Sequence, residues 1–272
     1  MARHAVETYA VSERRACRLL HVSRTAYRYA PKRPDDNELR TVLLRLVERW
    51  PRWGIGKLCS WMRKHGYDWN YKRIYRVYCE LGLNLRSKPK KRLPARHPQP
   101  LAQPKKLNCC WSLDFMRDSL DNGRSFRVLN IIDDFNREAL YAEIDFSIPS
   151  ERVVRALDNL AEYRGYPARL RSDNGPEFIA QALAIWAHEH AVMLDFIEPG
   201  KPAQNGYSER FNRTYREDIL DAYVFSSLAE VREMSEVWHV RYNQERPHDS
   251  LEEMTPIEFA RSRSQSLAAP TV

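Results

Sequence analysis

Three carboxylates stand out by type and spacing: Asp114, Asp173 and Glu209, the last two separated by 35 residues. Each falls in or beside a segment whose pattern predicts a rigid element. Hard carboxylate oxygens from separate elements are the ligands that octahedral Mg²⁺ takes. Two such ions can activate an attacking oxygen and stabilise the leaving oxygen of a phosphoryl displacement. Glu, one methylene longer than Asp, can reach from a helix towards a site at strand ends. Arg213 and Arg216 follow Glu209 by four and seven residues, on nearby helix faces suited to phosphate contact. The bland reading is that most Asp residues cap helices, close turns or sit in solvent, and Asp173-Asn174-Gly175 reads as a turn as readily as a ligand. Residue chemistry alone leaves both open.

The elements that must carry these acids can be read from periodicity. Residues 111–115, 126–132 and 138–144 read as three successive strands, with Asp121-Asn122-Gly123 as the hairpin turn between the first two. A helix follows from Ser150 with Val153, Val154, Leu157, Leu160 and Ala161 on its apolar face. Then come a strand at 168–172, a helix around 180–190, a strand at 192–197 and a long helix from Asn205. The order βββ-α-β-α-β-α predicts a mixed sheet with helices on its faces, not the strict alternation of a dinucleotide fold. Asp133 and Asp134 end the second strand and read as turn or supporting residues. His188-Glu189-His190 lacks the i, i+4 spacing of a helix-borne zinc pair and reads as a partly exposed helix end.

Upstream the pattern is helical. Ser12 and Ser23 are placed to cap two short helices, and Leu39, Val42, Leu43, Leu46, Val47 and Trp50 recur at helical spacing until Pro51. A helix over 55–65 closes at Gly66. In the next, Asn70 is the N-cap, Ile74, Val77, Tyr78 and Leu81 form the buried stripe, and Lys72, Arg73 and Arg76 fall towards another face. Three short helices ending in one with a basic face match a helix-turn-helix reader of DNA; a three-helix domain with a solvated charged face is the alternative.

Charge divides the chain. Residues 1–108 hold 26 Lys and Arg against 8 Asp and Glu, and residues 109–272 hold 18 against 28, within a total of +8. The stretch 86–108 carries five Pro and eight basic residues, including Lys90, Lys91 and Arg92, with no acid. It reads as an extended linker able to follow a nucleic-acid backbone. Lys201, just before the helix that carries Glu209, reads equally as a DNA-end contact or a solvated loop lysine. A 43% hydrophobic content excludes global disorder, and no apolar run approaches the roughly 18 residues that span a bilayer. Five Cys without a C-x-x-C spacing argue against both a disulfide framework and a structural zinc site. A soluble, intracellular protein with no membrane partner is expected.

Four strings, Trp111 to Phe115, Arg127 to Phe135, Arg171 to Phe178 and Gln204 to Asn212, together resemble the DDE catalytic core of insertion-sequence transposases. The likeness is closest to the orfB-type product of the insertion-sequence-three family, whose core is similar to retroviral integrase. Residues 36–85 resemble that family's helix-turn-helix module, and Tyr242 to His248 with Thr255 to Phe259 its tail; Asp249 and Glu252-Glu253 depart from the usual tail pattern. The resemblance implies an α/β, ribonuclease-H-like mixed five-stranded sheet flanked by helices, preceded by a small all-helical helix-turn-helix domain. The corresponding segments are 1–34 (partial helix-turn-helix), 35–85 (DNA-binding domain), 86–108 (linker), 109–224 (catalytic core) and 225–272 (helical tail). It implies a divalent-metal-dependent polynucleotidyl transferase, with Asp114, Asp173 and Glu209 holding two Mg²⁺ or Mn²⁺ ions. Double-stranded DNA, as element ends and target, is the implied partner. Further implied are a homo-oligomer on DNA and fusion to an upstream reading-frame product. The competing functions are a ribonuclease-H-like nuclease and a DNA-binding regulator of transposition.

Overall fold

The computed structural model describes residues 1–29, 35–85, 101, 103–198 and 202–268. Packing divides the chain into two units, Met1–Val42 and Leu43–Val272.

In the first unit, α1 (Ala2–Tyr9) buries no side chain and has no side-chain cap. It lacks both signals that would announce a helix, which is why periodicity misses it. Helices α2 (Glu13–Leu19) and α3 (Arg24–Arg28) begin where expected. Ser12 Oγ accepts from the Arg15 N–H at 3.4 Å and Ser23 Oγ from the Ala26 N–H at 3.0 Å. Arg28 closes the pair onto Glu13 at 2.7 Å.

Helix α4 (Asn37–Arg49) crosses the boundary between the units. The second unit continues with α5 (Ile55–Lys64) and α6 (Tyr71–Glu80). Asn70 caps α6 by accepting from the Lys72 N–H at 2.9 Å, and Ile74, Val77 and Tyr78 are buried as the stripe required. Gly66 and Gly82 end their helices at φ +84° and +68°, the left-handed region that favours glycine.

The sheet has the order β3-β2-β1-β4-β5, formed by β1 (Trp111–Ser119), β2 (Ser125–Asp133), β3 (Ala139–Asp145), β4 (Arg169–Ser172) and β5 (Met193–Phe196). The first three pair antiparallel, and β4 and β5 join β1 in parallel. Gly123, at φ +79°, makes the β1–β2 turn and donates to the Leu120 carbonyl. Alternation along β1 sends Trp111, Leu113 and Phe115 to one face, where they pack with α7 (Ser150–Arg164) and α8 (Gln181–Glu189) around Leu157, Leu183 and Trp186. It sends Ser112, Asp114 and Met116 to the other. There α9 (Gly206–Tyr215) and α10 (Leu228–Gln244) cover the sheet with Phe211, Tyr215, Trp238 and Tyr242.

The long helix expected from Asn205 is interrupted. A 3-10 turn (Pro202–Asn205) precedes α9, and Arg216–Leu220 winds as a π-helix in which the Asp221 N–H donates to the Arg216 carbonyl at 2.8 Å. The wider turn accompanies burial of both Ile219 and Leu220, adjacent residues that an α-helix would splay by about 100°. The last described element is α11 (Pro256–Ala268), with Phe259 packed on Phe135 at 5.3 Å. Among the described residues no helix is long and apolar enough to cross a membrane.

Candidate active site

Sheet register assembles the acidic site. Asp114 pairs across the antiparallel ladder with Asn130. On its other side Ser112 pairs with Arg171 in β4. Asp173 directly follows β4, and extending this register by two residues points it towards Asp114, whose carboxyl senses its charge. Glu209 enters from the first turn of α9, above the same face.

A buried amide relay orients Asp114. Asn130 Nδ2 donates to Asn212 Oδ1 at 2.7 Å, and Asn212 Nδ2 donates to Asp114 Oδ2 at 2.8 Å. Asp173 Oδ1 accepts from the Gly175 N–H at 3.0 Å, so the Asp-Asn-Gly turn and the candidate ligand are the same structure. A Cβ on Gly175 would stand 3.0 Å from that oxygen, which explains the glycine. The carboxyl of Asp114 is pushed up to about 6, first by burial and then by the negative charges of Asp173 and Glu209. Asn212 and the Phe115 N–H pull the other way.

Neighbouring acids are committed elsewhere. Asp134 is fully buried, accepting from Ser112 Oγ at 2.6 Å and from Arg171 Nη1 at 2.8 Å. Asp133, also buried, accepts the backbone N–H groups of Asn108 and Phe135. Glu177 pairs with Arg127, whose guanidinium lies 4.0 Å over the Phe115 ring, and that pairing holds the Glu177 carboxyl low. By contrast, Asp114, Asp173 and Glu209 have no ion-pair partner among the described residues. The three share one electrostatic neighbourhood, yet Glu209 is exposed. Among the described residues no three acid, His or Cys side chains gather tightly enough to hold an ion unaided.

The basic residues divide. Arg213 is exposed. Arg216 donates to the Arg117 carbonyl at 2.8 Å and lies 3.7 Å from Asp118 and Asp221, so its charge is engaged by its own chain. On α6, Lys72 is exposed, Arg73 is half-buried and Arg76 pairs with Glu80 at 2.8 Å. Lys90, Lys91, Arg92 and Lys201 lie outside the described residues. His188 and Glu189 are exposed at the end of α8. The sequence reading assigned no role to Asn130 or Asn212. The signal for Asn130 was an amide within the apolar run Val128-Leu129-Asn130-Ile131-Ile132, at an inward position of β2.

The strand order, with an antiparallel three-stranded meander extended by two parallel strands and helices on both faces, defines a ribonuclease-H-like fold. Residues 104–202 and 190–256 match the Integrase core domain family, and residues 34–92 match the HTH-like domain family. The chain is 40% identical over 261 residues to the insertion element IS407 uncharacterized 31.7 kDa protein of Burkholderia multivorans, covering 96% of this chain and 94% of that one. It is 25% identical over 272 residues to the transposase InsD for insertion element IS2D of Escherichia coli, covering 91% and 90%. The HTLV-2 integrase catalytic core domain, solved in complex with magnesium, aligns at 16% identity with a TM-score of 0.46, covering 57% of this chain and 97% of that one. The chain belongs to the insertion-sequence-three family of transposases, with an integrase-like core and an HTH-like module.

Proposed function

We propose that the chain cuts the ends of its insertion element and joins them to target DNA, using Asp114, Asp173 and Glu209 as the carboxylates for two Mg²⁺ ions. The observation that carries this reading is that Asp114 senses the charges of Asp173 and Glu209 while none of the three has an ion-pair partner among the described residues, whereas Asp133, Asp134 and Glu177 each have a partner. An all-oxygen donor set fits Mg²⁺, with Mn²⁺ as a substitute, and a divalent cation would offset both the burial of the Asp114 carboxylate and the lesser push from the charges of Asp173 and Glu209. Bound there, the ions supply acidification of the attacking oxygen and charge compensation at the leaving oxygen.

The chain's own residues prepare that chemistry. Asn212, braced by Asn130, presents a fixed Asp114 oxygen, and the Gly175 N–H does the same for Asp173. Glu209, exposed in the first turn of α9, is the third carboxylate and completes the set by turning towards the ions. Arg213, on the same side of α9, receives a phosphate of the bound strand. No side-chain nucleophile is assigned beside the acids: the Ser112 hydroxyl is buried and donates to Asp134, and the Tyr207 hydroxyl donates to the Leu101 carbonyl at 3.2 Å. The attacking groups are therefore water in the first step and the freed 3′-OH in the second, each in line with its leaving oxygen.

Further parts of the reading are that α6 and the basic linker hold element-end DNA, that the active species is an oligomer on DNA, and that an upstream reading-frame product is fused to the chain for full activity. This would take place on nucleoid DNA in the bacterial cytoplasm. The test uses the full chain and duplex oligonucleotides carrying the flanking DNA of its own gene. Mg²⁺-dependent cleavage and joined products are expected from the wild type and neither from Asp173→Asn. Joining by Asp173→Asn at the wild-type rate would overturn the assignment, and cleavage without joining would indicate a nuclease.

A further inference from the structure

Helix α9 has a second lined side. At 100° per residue, Glu209 and Asn212 point to one side of the helix, and Tyr207, Arg210 and Thr214 to the opposite one. The latter side borders a cavity of about 560 Å³, walled also by Lys57 of α5 and by Arg246 and His248 of the segment after α10. The cavity is therefore separated from the acidic site by the thickness of α9.

Its electrostatics are the reverse of the acidic site's. Four cations, Lys57, Arg137, Arg210 and Arg246, line it. Arg246 is balanced by Asp218 at 3.0 Å, and Lys57 lies 3.7 Å from Asp249, whose side chain is 82% exposed. Arg137 and Arg210 have no ion-pair partner among the described residues. Arg137 is only 8% exposed, with its guanidinium 3.3 Å over the Tyr207 ring and its buried Nη1 without a hydrogen-bond partner among those residues. Its backbone sits at φ +60°, a left-handed conformation uncommon for arginine. Nε2 of His248 is likewise buried and unpartnered. Burial and the same four cations hold this imidazole well below its usual range, hence neutral.

A buried guanidinium with an unmade hydrogen bond costs stability unless a ligand completes it, and its planar fork matches the oxygens of a phosphate. We propose that this cavity is a phosphate-binding site, with Arg137 and Arg210 as its donors and Lys57 adding charge. Its place on a DNA-acting chain makes a backbone phosphodiester of bound DNA the expected source, and a free phosphate or nucleotide has the same chemistry. The site is distinct from the three acids, and only the expected source rests on the function proposed above.

The test uses the full chain in EDTA, so that it does not depend on metal or cleavage. In the first arm, inorganic phosphate is compared with chloride at matched ionic strength by thermal denaturation. Phosphate raises the wild-type Tm, and Arg137→Gln and Arg210→Gln remove that rise. In the second arm, binding to a duplex oligonucleotide is measured against salt. Each substitution lowers affinity roughly tenfold and reduces the slope of log K against log salt by about 0.9, one phosphate contact. Arg210 is exposed, so its variant keeps the test valid if Arg137→Gln fails to fold. Change in both arms assigns a DNA phosphate, and change in the first alone assigns a free phosphate. If Arg210→Gln alters neither, the proposal is overturned. That result would leave the carboxylate assignment standing, because Asp173→Asn tests it separately.

Discussion

Replacing Asp114 with Asn should make the metal-free protein more stable while destroying its activity. The carboxyl of Asp114 rises from 3.8 to about 6 on folding, because burial and the charges of Asp173 and Glu209 disfavour its ionised form. At 1.36 kcal/mol per pH unit this difference corresponds to about 3 kcal/mol. The native state binds the proton more tightly than the unfolded state. Its contribution to stability is therefore complete below pH 4 and is lost as pH rises through about 6. Asn cannot ionise, but its amide oxygen still accepts the Asn212 N–H, so the relay from Asn130 survives. Thermal denaturation in EDTA should show the two proteins nearly level at pH 4. By pH 8 Asp114→Asn should lead by up to about 3 kcal/mol, or roughly 6–12 °C for a chain of this size. Adding Mg²⁺ at pH 8 should narrow the gap, because it discharges only the wild-type site. A difference that does not grow with pH, or a variant less stable than wild type at pH 8, refutes the reasoning.

Asn212→Ala removes a hydrogen bond to an ionised acceptor and one partner of Asn130. It should cost about 2–3 kcal/mol in urea unfolding and raise the Asp114 carboxyl above its wild-type value in a ¹³C NMR titration. Gly175→Ala puts a methyl 3.0 Å from Asp173 Oδ1, so strand transfer should fall by roughly 10- to 100-fold while Tm barely moves; an unchanged rate would show that Asp173 needs no fixed position. His239 is pushed down to about 4 by burial, so it stays neutral in the fold, and its contribution is present above pH 6.5 and lost as pH falls towards 4. His239→Phe should flatten that acid-side loss in a Tm series between pH 7 and 4, and an identical acid limb would exclude His239 as its source.

Much of the architecture was legible because local chemistry and tertiary demand agree. Asn70, Ser12 and Ser23 cap their helices because at these three positions a side-chain oxygen stands next to an orphaned N–H. The β1–β2 hairpin follows from Gly123 between two runs of strand periodicity. The acids were legible by residue type and spacing through family resemblance. Elements with no local signature were not: α1 buries nothing, and the π-turn at 216–220 serves the packing of Ile219 and Leu220.

What the sequence by itself determined is the inventory: three acids of suitable type and spacing on elements of predictable type, a basic first part, and an apolar pattern able to build a mixed sheet. Only the tertiary structure decided which acids are alike. Asp133 and Asp134 read as turn or supporting residues, and it is the fold that supplies Asn108 and Arg171 as their partners, as it supplies Arg127 to Glu177. It also decided that Asn212 orients Asp114 and that Arg137 stands buried without a full set of partners. The physical reason is that hydrogen bonds and charges act over a few ångströms. Residues 98 or more positions apart, such as Asp114 and Asn212, become neighbours only when sheet register and helix packing are in place.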